Sequence, residues 1–287
     1  MSYTIKAPAK INIGLDVIRR LPSGYHELKM IMQTIDLFDI LEVEVTDGDD
    51  NELICSDSSL PSDDNNLVMK VIRLMQKNYC IEKFLRVKLI KNIPVAAGMA
   101  GGSTDAAAMF LAINDIFELN ISKKELMEMA VELGADIPYC IMQGTALSEG
   151  IGEVLTKLPD FDGVTVLIAK PPIEVSTGFV YGNLKLTGDV QHPDIDAVMA
   201  AMHDRDYDAM AGHIGNILET VTIPAYPVIE EIKQCMKDNG AFISLMSGSG
   251  PTVFGLFEDE ETAAAAKKAC EDMCEGIFTT VSHTYNP

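Results

Sequence analysis

The chain has 287 residues, and 43 acidic against 22 basic side chains give it a formal net charge of −21. This charge argues against a protein that binds nucleic acid or anionic membranes, because both are recognised through clustered positive surface. Hydrophobic residues make up 47% of the chain and charged residues 23%, so we expect a folded protein rather than a disordered one. At about 150 residues per domain, the length predicts two domains or one large one.

The amino-terminal segment lacks the apolar stretch of a signal peptide, and no apolar run reaches the roughly 18 residues that a membrane span requires. We therefore expect a cytoplasmic protein. The six cysteines include no Cys-x-x-Cys pair, and the five histidines include no His-x-x-x-His pattern. Neither a zinc site nor a disulfide framework is predicted.

The chain opens with three segments rich in isoleucine, valine and leucine, at residues 10–19, 26–37 and 39–46. The third alternates polar and apolar residues with the period of two that is typical of a half-buried strand, and we predict three strands. The elements predicted next are a helix from Asn66, a strand over 84–90, a glycine-rich loop at 94–102, an alanine-rich helix from Thr104 to about Phe117 and a helix over 122–133.

After about residue 159 the pattern changes. The predicted strands are 164–169, 241–246, 252–257 and 277–283, and the predicted helices include 228–238 and 259–274. When the other inserted helices are set aside, the order is β-α-β-β-α-β, which is the ferredoxin-like arrangement. We therefore predict an α+β protein of two domains, residues 1–158 and residues 159–287.

The most unusual local feature is the segment PVAAGMAGGST at residues 94–104. Its glycines and alanines leave main-chain N–H groups unobstructed, and the following helix points the positive end of its dipole at the loop. The loop is therefore a candidate site for a polyphosphate. The alternative is a flexible turn before a helix that Ser103 caps. The loop has neither the Gly-Lys-Ser/Thr ending of a Walker A motif nor a Gly-x-Gly-x-x-Gly spacing.

This loop resembles the glycine-rich motif of the GHMP kinases, the superfamily named after galactokinase, homoserine kinase, mevalonate kinase and phosphomevalonate kinase. The segments that extend the resemblance are APAKIN at 7–12, GYHEL at 24–28, GADIP at 134–138 and SGSG at 247–250, the last being similar to the superfamily's third, C-terminal glycine motif. The resemblance runs nearly end to end. It implies the two-domain GHMP kinase fold, with a ribosomal protein S5 domain 2-like amino-terminal domain and a ferredoxin-like carboxy-terminal domain.

Together and in this order, the segments are similar to the branch of the superfamily that phosphorylates a cytidine diphosphate sugar alcohol in isoprenoid biosynthesis. The resemblance implies ATP as co-substrate, Mg2+ with it, and the 2-hydroxyl group of CDP-methylerythritol as acceptor. Two alternatives stay open. One is another small-alcohol kinase of the superfamily, such as homoserine kinase, and the other is a catalytically silent, nucleotide-binding regulator. No oligomeric state is predicted.

The resemblance also implies that Asp136 faces the acceptor hydroxyl and that Lys10 lies beside it. A neighbouring ammonium group favours the ionised carboxylate, which keeps Asp136 able to accept a proton. From the residues alone, Asp136 also fits the N-cap of a short helix, and Lys10 fits an exposed strand lysine.

Tyr25 and His26 can stack on and hydrogen-bond to a pyrimidine base, and the resemblance implies that they do so for cytosine. It implies Tyr181 for the opposite face of the base, with Phe179 as the alternative. The other implied substrate contacts are Lys6, Asn12 and Thr177. The implied ATP contacts are Asn66, which also fits a helix N-cap, and Pro94, Val95, Ala96, Ala97, Gly98, Met99, Ala100, Gly101, Gly102, Ser103 and Thr104. Ser103 is also a candidate magnesium ligand.

Overall fold

The computed structural model of the chain describes residues 2–187 and 190–287 and contains ten strands and ten helices within them. The strands are β1 (Ser2–Arg20), β2 (His26–Thr46), β3 (Glu52–Cys55), β4 (Phe84–Ile90), β5 (Thr145–Gly150), β6 (Val154–Lys157), β7 (Thr165–Lys170), β8 (Ile243–Met246), β9 (Val253–Phe257) and β10 (Phe278–His283). The helices are α1 (Leu67–Tyr79), α2 (Gly101–Ile116), α3 (Lys123–Ala130), α4 (Ile137–Met142), α5 (Thr177–Asn183), α6 (Ile195–Asp204), α7 (Tyr207–His213), α8 (Glu219–Ala225), α9 (Val228–Asp238) and α10 (Glu260–Met273).

The chain divides into two units, and each is assembled from separated stretches. The first unit contains the chain through Ala9, Leu37–Val95 and Ala100–Met142. The second unit contains Lys10–Asp36, Ala96–Met99 and Gln143–Pro287. The predicted boundary at residue 158 stays a prediction.

The first unit joins short strand pairs to four helices. The carboxy-terminal part of β2 pairs antiparallel with β4, and β3 pairs parallel with β4. Helix α2 contacts both α1 and α4, and it is rich in alanine and apolar around most of its circumference. A helix of that kind has to be buried, and its burial fixes the position of the glycine-rich loop that precedes it.

The second unit contains two sets of paired strands. Strand β5 pairs antiparallel with the amino-terminal part of β2 and with β6. The other set is a four-stranded antiparallel sheet in the order β10-β7-β9-β8, on which α9 and α10 pack. These elements follow one another along the chain in the predicted β-α-β-β-α-β order.

One strand replaces two predicted ones. Residues 26–46 form the continuous strand β2, although Asp36 is exposed and Leu37 and Phe38 are only half-buried. The apolar pattern is interrupted there because β2 passes from the second unit to the first at Asp36 and Leu37, while its backbone stays extended. None of the helices in the described residues is long and apolar enough to cross a lipid bilayer.

Candidate active site

The glycine-rich loop has an unusual backbone. The φ angle is positive at every second residue, with 51° at Ala96, 70° at Gly98 and 57° at Ala100. Left-handed residues in such alternation build the concave backbones that bind anions through their N–H groups. An alanine in this conformation costs about 1–2 kcal/mol relative to the ordinary helical region, so the loop stores strain at two positions.

Helix α2 begins at Gly101, three residues before the predicted Thr104. Its N-cap is Ala100, which offers no side-chain hydrogen bond to the first turn. The alternative in which Ser103 caps the helix is therefore wrong, because Ser103 lies inside the first turn. Thr104 is buried, and its hydroxyl donates to the Pro8 carbonyl at 2.7 Å. The uncapped N–H groups of the first turn thus face the loop with the positive end of the helix dipole.

A buried ionic cluster in the first unit ties the two ends of this loop to the sheet. The Lys91 ammonium, just before the loop, contacts a carboxylate oxygen of Asp39 and lies 2.6 Å from Asp105 Oδ2 in α2. Asp39 Oδ1 accepts the main-chain N–H groups of Asn92 at 2.6 Å and Ile93 at 2.8 Å. All three charged side chains are nearly inaccessible to solvent. The entry to the loop and the helix that leaves it are therefore held by one cluster.

The charges of this cluster do not balance, because one ammonium faces two carboxylates. Burial and the neighbouring Asp39 raise the pKa of Asp105 to about 7, although Lys91 acts in the opposite direction. Two main-chain N–H groups add further hydrogen bonds to Asp39 Oδ1. Lys91 is thus fully engaged by protein carboxylates and is not free to bind a phosphate.

Lys10 and Asn12 lie on one face of β1 in the second unit. Both are buried, with 5% and 1% of their surface exposed, so the alternative of an exposed strand lysine is wrong. The Lys10 ammonium donates to Asn12 Oδ1 at 2.6 Å, and Asn12 Nδ2 lies 3.3 Å from the Met30 sulfur. Among the described residues of this unit, no carboxylate pairs with Lys10. A buried ammonium whose partner is a neutral amide has no counter-ion to offset its desolvation, so it is a candidate group for binding an anion.

The turn at residues 247–250 contacts the tip of the glycine-rich loop. Ser247 Oγ donates to the Gly98 carbonyl at 3.0 Å. A Cβ atom at Gly98 would lie 2.2 Å from the Ser247 carbonyl oxygen, which no side chain allows. A Cβ at Gly248 would lie 3.5 Å from Asn12 Oδ1. The second unit therefore brings the loop tip, this turn and the Lys10 strand into contact.

Three predicted base-binding residues are found in the same unit. The His26 and Tyr181 rings have centroids 5.2 Å apart and are inclined by 36°, while Tyr25 is 62% exposed. Partial burial and the positive charge of Arg20 lower the pKa of His26, which keeps the imidazole neutral at pH 7. A neutral imidazole offers one donor and one acceptor, as a pyrimidine edge requires. Thr177 joins this group through a 2.9 Å contact between its Oγ1 and Ser249 Oγ.

Other predicted residues lie in the first unit. Asn66 is the N-cap of α1, as one of its two interpretations expects, because its side chain accepts the Val68 N–H at 2.9 Å. The Lys6 ammonium lies 4.7 Å from the centre of the Phe38 ring. Asp136 is partly buried and immediately precedes α4, so that its two predicted roles both stay open.

The predicted residues are therefore distributed over the two units. The second unit holds Lys10, Asn12, Tyr25, His26, Ala96, Ala97, Gly98, Met99, Thr177 and Tyr181. The first unit holds Lys6, Asn66, Pro94, Val95, Ala100, Gly101, Gly102, Ser103, Thr104 and Asp136. Sequence reasoning missed the cluster of Asp39, Lys91 and Asp105. The available signal was an aspartate within an alanine-rich apolar helix, a position where a charge needs a buried partner.

The sequence matches two family models, GHMP kinases N terminal domain over residues 66–144 and GHMP kinases C terminal over residues 187–276. A protein of Lachnospira eligens named 4-diphosphocytidyl-2-C-methyl-D-erythritol kinase is 48% identical over 286 residues, covering 100% of this chain and 99% of that protein. A protein of the same name from Acetivibrio thermocellus is 46% identical and covers 97% of this chain and 98% of its own length.

Solved structures give a consistent result. A crystal structure of 4-(cytidine 5'-diphospho)-2C-methyl-D-erythritol kinase has a TM-score of 0.81 at 28% identity, covering 99% of this chain and 100% of that chain. Homoserine kinase from Cytophaga hutchinsonii has a TM-score of 0.82 at 22% identity, covering 99% of this chain and 94% of that chain. At 22% identity, the similarity to homoserine kinase shows a shared fold and nothing further.

Removing the ammonium of the buried cluster should destabilise the protein. We expect Lys91→Met to lower the free energy of unfolding by about 3 kcal/mol or more, because two buried carboxylates lose their counter-ion. The measurement is urea denaturation. The matched control is Lys88→Met in β4, whose 3.3 Å pair with Glu42 is exposed and should contribute less than about 1 kcal/mol. Equal losses in the two variants would contradict the structural role of the cluster.

Proposed function

Because the chain belongs to the GHMP kinase family, we propose that it transfers the γ-phosphoryl group of ATP to the 2-hydroxyl group of 4-diphosphocytidyl-2-C-methyl-D-erythritol. The family membership confirms the predicted kinase, its fold class and ATP as co-substrate. Curated relatives with 41–48% identity over nearly the whole chain carry the name of this activity. The reaction belongs to the non-mevalonate route to isoprenoid precursors, and we place it in the cytoplasm, where ATP is available.

The observation that carries the choice of acceptor is the ring contact between His26 and Tyr181, with Tyr25 exposed beside His26 in sequence. We assign these three residues to the cytosine base, since aromatic faces stack on a base and a neutral imidazole hydrogen-bonds to its edge. Asn12, Thr177 and Lys6 are assigned to the remaining polar groups of the substrate. A small alcohol without a base has no ring on which these side chains could stack.

The glycine-rich loop is the proposed seat of the ATP phosphates. Its alternating left-handed residues and the uncapped first turn of α2 supply main-chain N–H donors. These donors suit a chain of charge −21, which does not attract a polyanion through its overall field. Asn66, at the start of α1, is assigned to the neighbourhood of the adenine.

A magnesium ion is proposed to arrive with ATP. Among the described residues, no three His, Cys, Asp or Glu side chains come together to hold a metal. Magnesium in nucleotide sites commonly takes only one or two protein groups and several phosphate oxygens. The Ser103 hydroxyl, in the first turn of α2, fits this donor set and would hold the ion, which would neutralise charge on the phosphates.

The proposed chemistry is carried by Asp136 and Lys10. The Asp136 carboxylate accepts the proton of the 2-hydroxyl group as that oxygen bonds to the γ-phosphorus, and the bond from phosphorus to the bridging oxygen breaks to release ADP. The buried Lys10 ammonium, held by Asn12, provides positive charge for the anionic groups at the reacting centre. Alignment of the acceptor with the phosphoryl group accounts for the rest of the catalysis.

The two alternatives are less well supported. Homoserine kinase shares the fold with this chain, but the likeness at 22% identity carries no argument about substrate. A silent regulator would be expected to lack the residues of phosphoryl transfer, whereas Lys10 and Asp136 are both present.

A panel of acceptors tests the proposed function directly. ADP release is measured with CDP-methylerythritol, homoserine and mevalonate under identical conditions. We expect turnover with the cytidine compound and at least about a hundredfold lower kcat/KM with the other two, because they cannot occupy the base site. Comparable activity on homoserine would overturn the assigned acceptor. No activity on any acceptor would support the regulator.

The proposed role of Asp136 as the group that accepts the hydroxyl proton is tested by Asp136→Asn. We expect a fall in kcat of at least about a hundredfold with KM values within a few-fold of wild type, since the change removes proton acceptance but keeps the size of the side chain. Asp115→Asn is the matched control, because Asp115 lies in α2 of the same unit and contacts the Tyr3 hydroxyl. Near-normal turnover of Asp136→Asn would remove Asp136 from the mechanism.

A further inference from the structure

Asn216, between α7 and α8, uses every polar atom of its side chain in hydrogen bonds to main chain. Its Nδ2 donates to the carbonyls of Met246 at 2.8 Å and Gly248 at 2.7 Å. Its Oδ1 accepts the N–H of Leu218 at 3.0 Å. The side chain is 5% exposed, so each bond is shielded from competing water. Asn216 therefore clamps the start of the turn at residues 247–250.

The backbone beside Asn216 is joined to β1. The Leu15 N–H donates to the Gly215 carbonyl at 2.9 Å, and the Ile217 N–H donates to the Leu15 carbonyl at 3.0 Å. Strand β1 also carries Lys10 and Asn12. The clamp is thus built on the strand that holds the proposed catalytic ammonium.

The clamped turn contacts both proposed substrate regions within the second unit. Ser247 Oγ reaches the Gly98 carbonyl of the glycine-rich loop at 3.0 Å, and Ser249 Oγ lies 2.9 Å from Thr177 Oγ1. The turn contains two glycines with positive φ, 58° at Gly248 and 83° at Gly250. Glycines give a turn large conformational freedom, so its position depends on external contacts.

A second contact holds the same peptide from the other side. Glu219 Oε1 accepts the Met246 N–H at 2.8 Å, and Glu219 Oε2 pairs with Lys233 at 2.7 Å. Met246 thus has its carbonyl bound by Asn216 and its N–H bound by Glu219. Because both main-chain groups of Met246 are hydrogen-bonded, the position at which the following turn begins is fixed.

We propose that Asn216 is a positioning residue for phosphoryl transfer, because it fixes the turn at 247–250 between the loop residue Gly98 and the substrate residue Thr177. This inference rests on the proposed function of those two regions. Asn216 touches neither substrate. It acts through the main-chain carbonyls that it holds.

The test is Asn216→Asp, which keeps the shape and the acceptor for Leu218 but sets a carboxylate against two carbonyl oxygens. We expect kcat to fall about a hundredfold, the scale of a displacement of about 1 Å at a reacting centre, while both KM values stay within about threefold. The matched control is Asn114→Asp in α2, since Asn114 also donates to one carbonyl and accepts one N–H, both of Ile121. Its kcat should be unchanged.

Amide hydrogen exchange of residues 246–250 provides a readout that does not require activity. Exchange should accelerate in Asn216→Asp, and in Asn216→Ala, relative to wild type. The proposal would be overturned if Asn216→Asp folds, has a kcat within twofold of wild type and shows unchanged exchange. It would also be overturned if neither variant folds, because Asn216 would then have a role in folding alone. If wild type itself has no kinase activity, the proposed function fails, whereas faster exchange in the variants would still show that Asn216 positions the turn.

Discussion

The main chain at Gly98 approaches the Ser247 carbonyl so closely that no side chain fits between them. This contact joins the tip of the glycine-rich loop to the turn at 247–250, which also meets Asn12 and Thr177 within the second unit. A backbone-to-backbone contact of this kind depends on glycine at one position, so the loop path, the turn and the strand that bears Lys10 are specified together. The strain at Ala96 and Ala100 shows that the loop is held in its path by these surroundings rather than by its own preferences.

The positive groups in and near the glycine-rich loop differ in whether the protein itself neutralises them. The lysine adjacent to the loop, Lys91, is neutralised by Asp39 and Asp105 and serves the structure. Main-chain N–H groups of the loop and the buried ammonium of Lys10 are the groups that we propose for the anionic substrates, in a chain with a net charge of −21. Fixed dipoles and one shielded charge stay effective inside a negative overall field because they act over short distances and are preorganised.

Much of the fold follows from sequence pattern, and the exceptions have physical causes. The period-two strands, the alanine-rich helix and the β-α-β-β-α-β order are read from residue patterns alone, and the motifs APAKIN, GYHEL and GADIP identify the family. The continuity of β2 is not predictable, because its burial changes at Asp36 where the strand passes between units. The Lys91 cluster and Asn216 are not found by sequence reasoning because their side-chain contacts reach residues up to 54 and 32 positions away, respectively. Local periodicity carries no information about such contacts.

The contact between Gly98 and Ser247 is tested most directly by the affinity of Gly98→Ala for a non-hydrolysable ATP analogue, measured by titration calorimetry. The added methyl group would occupy the space of the Ser247 carbonyl at a φ of 70°, so the loop has to move. We expect binding at least about tenfold weaker, or about 1.4 kcal/mol, in a protein that remains folded. Gly212→Ala in α7, where a Cβ meets no atom within 4 Å, should bind as wild type does. Wild-type affinity in a folded Gly98→Ala protein would contradict the claim that this main-chain contact shapes the proposed nucleotide site.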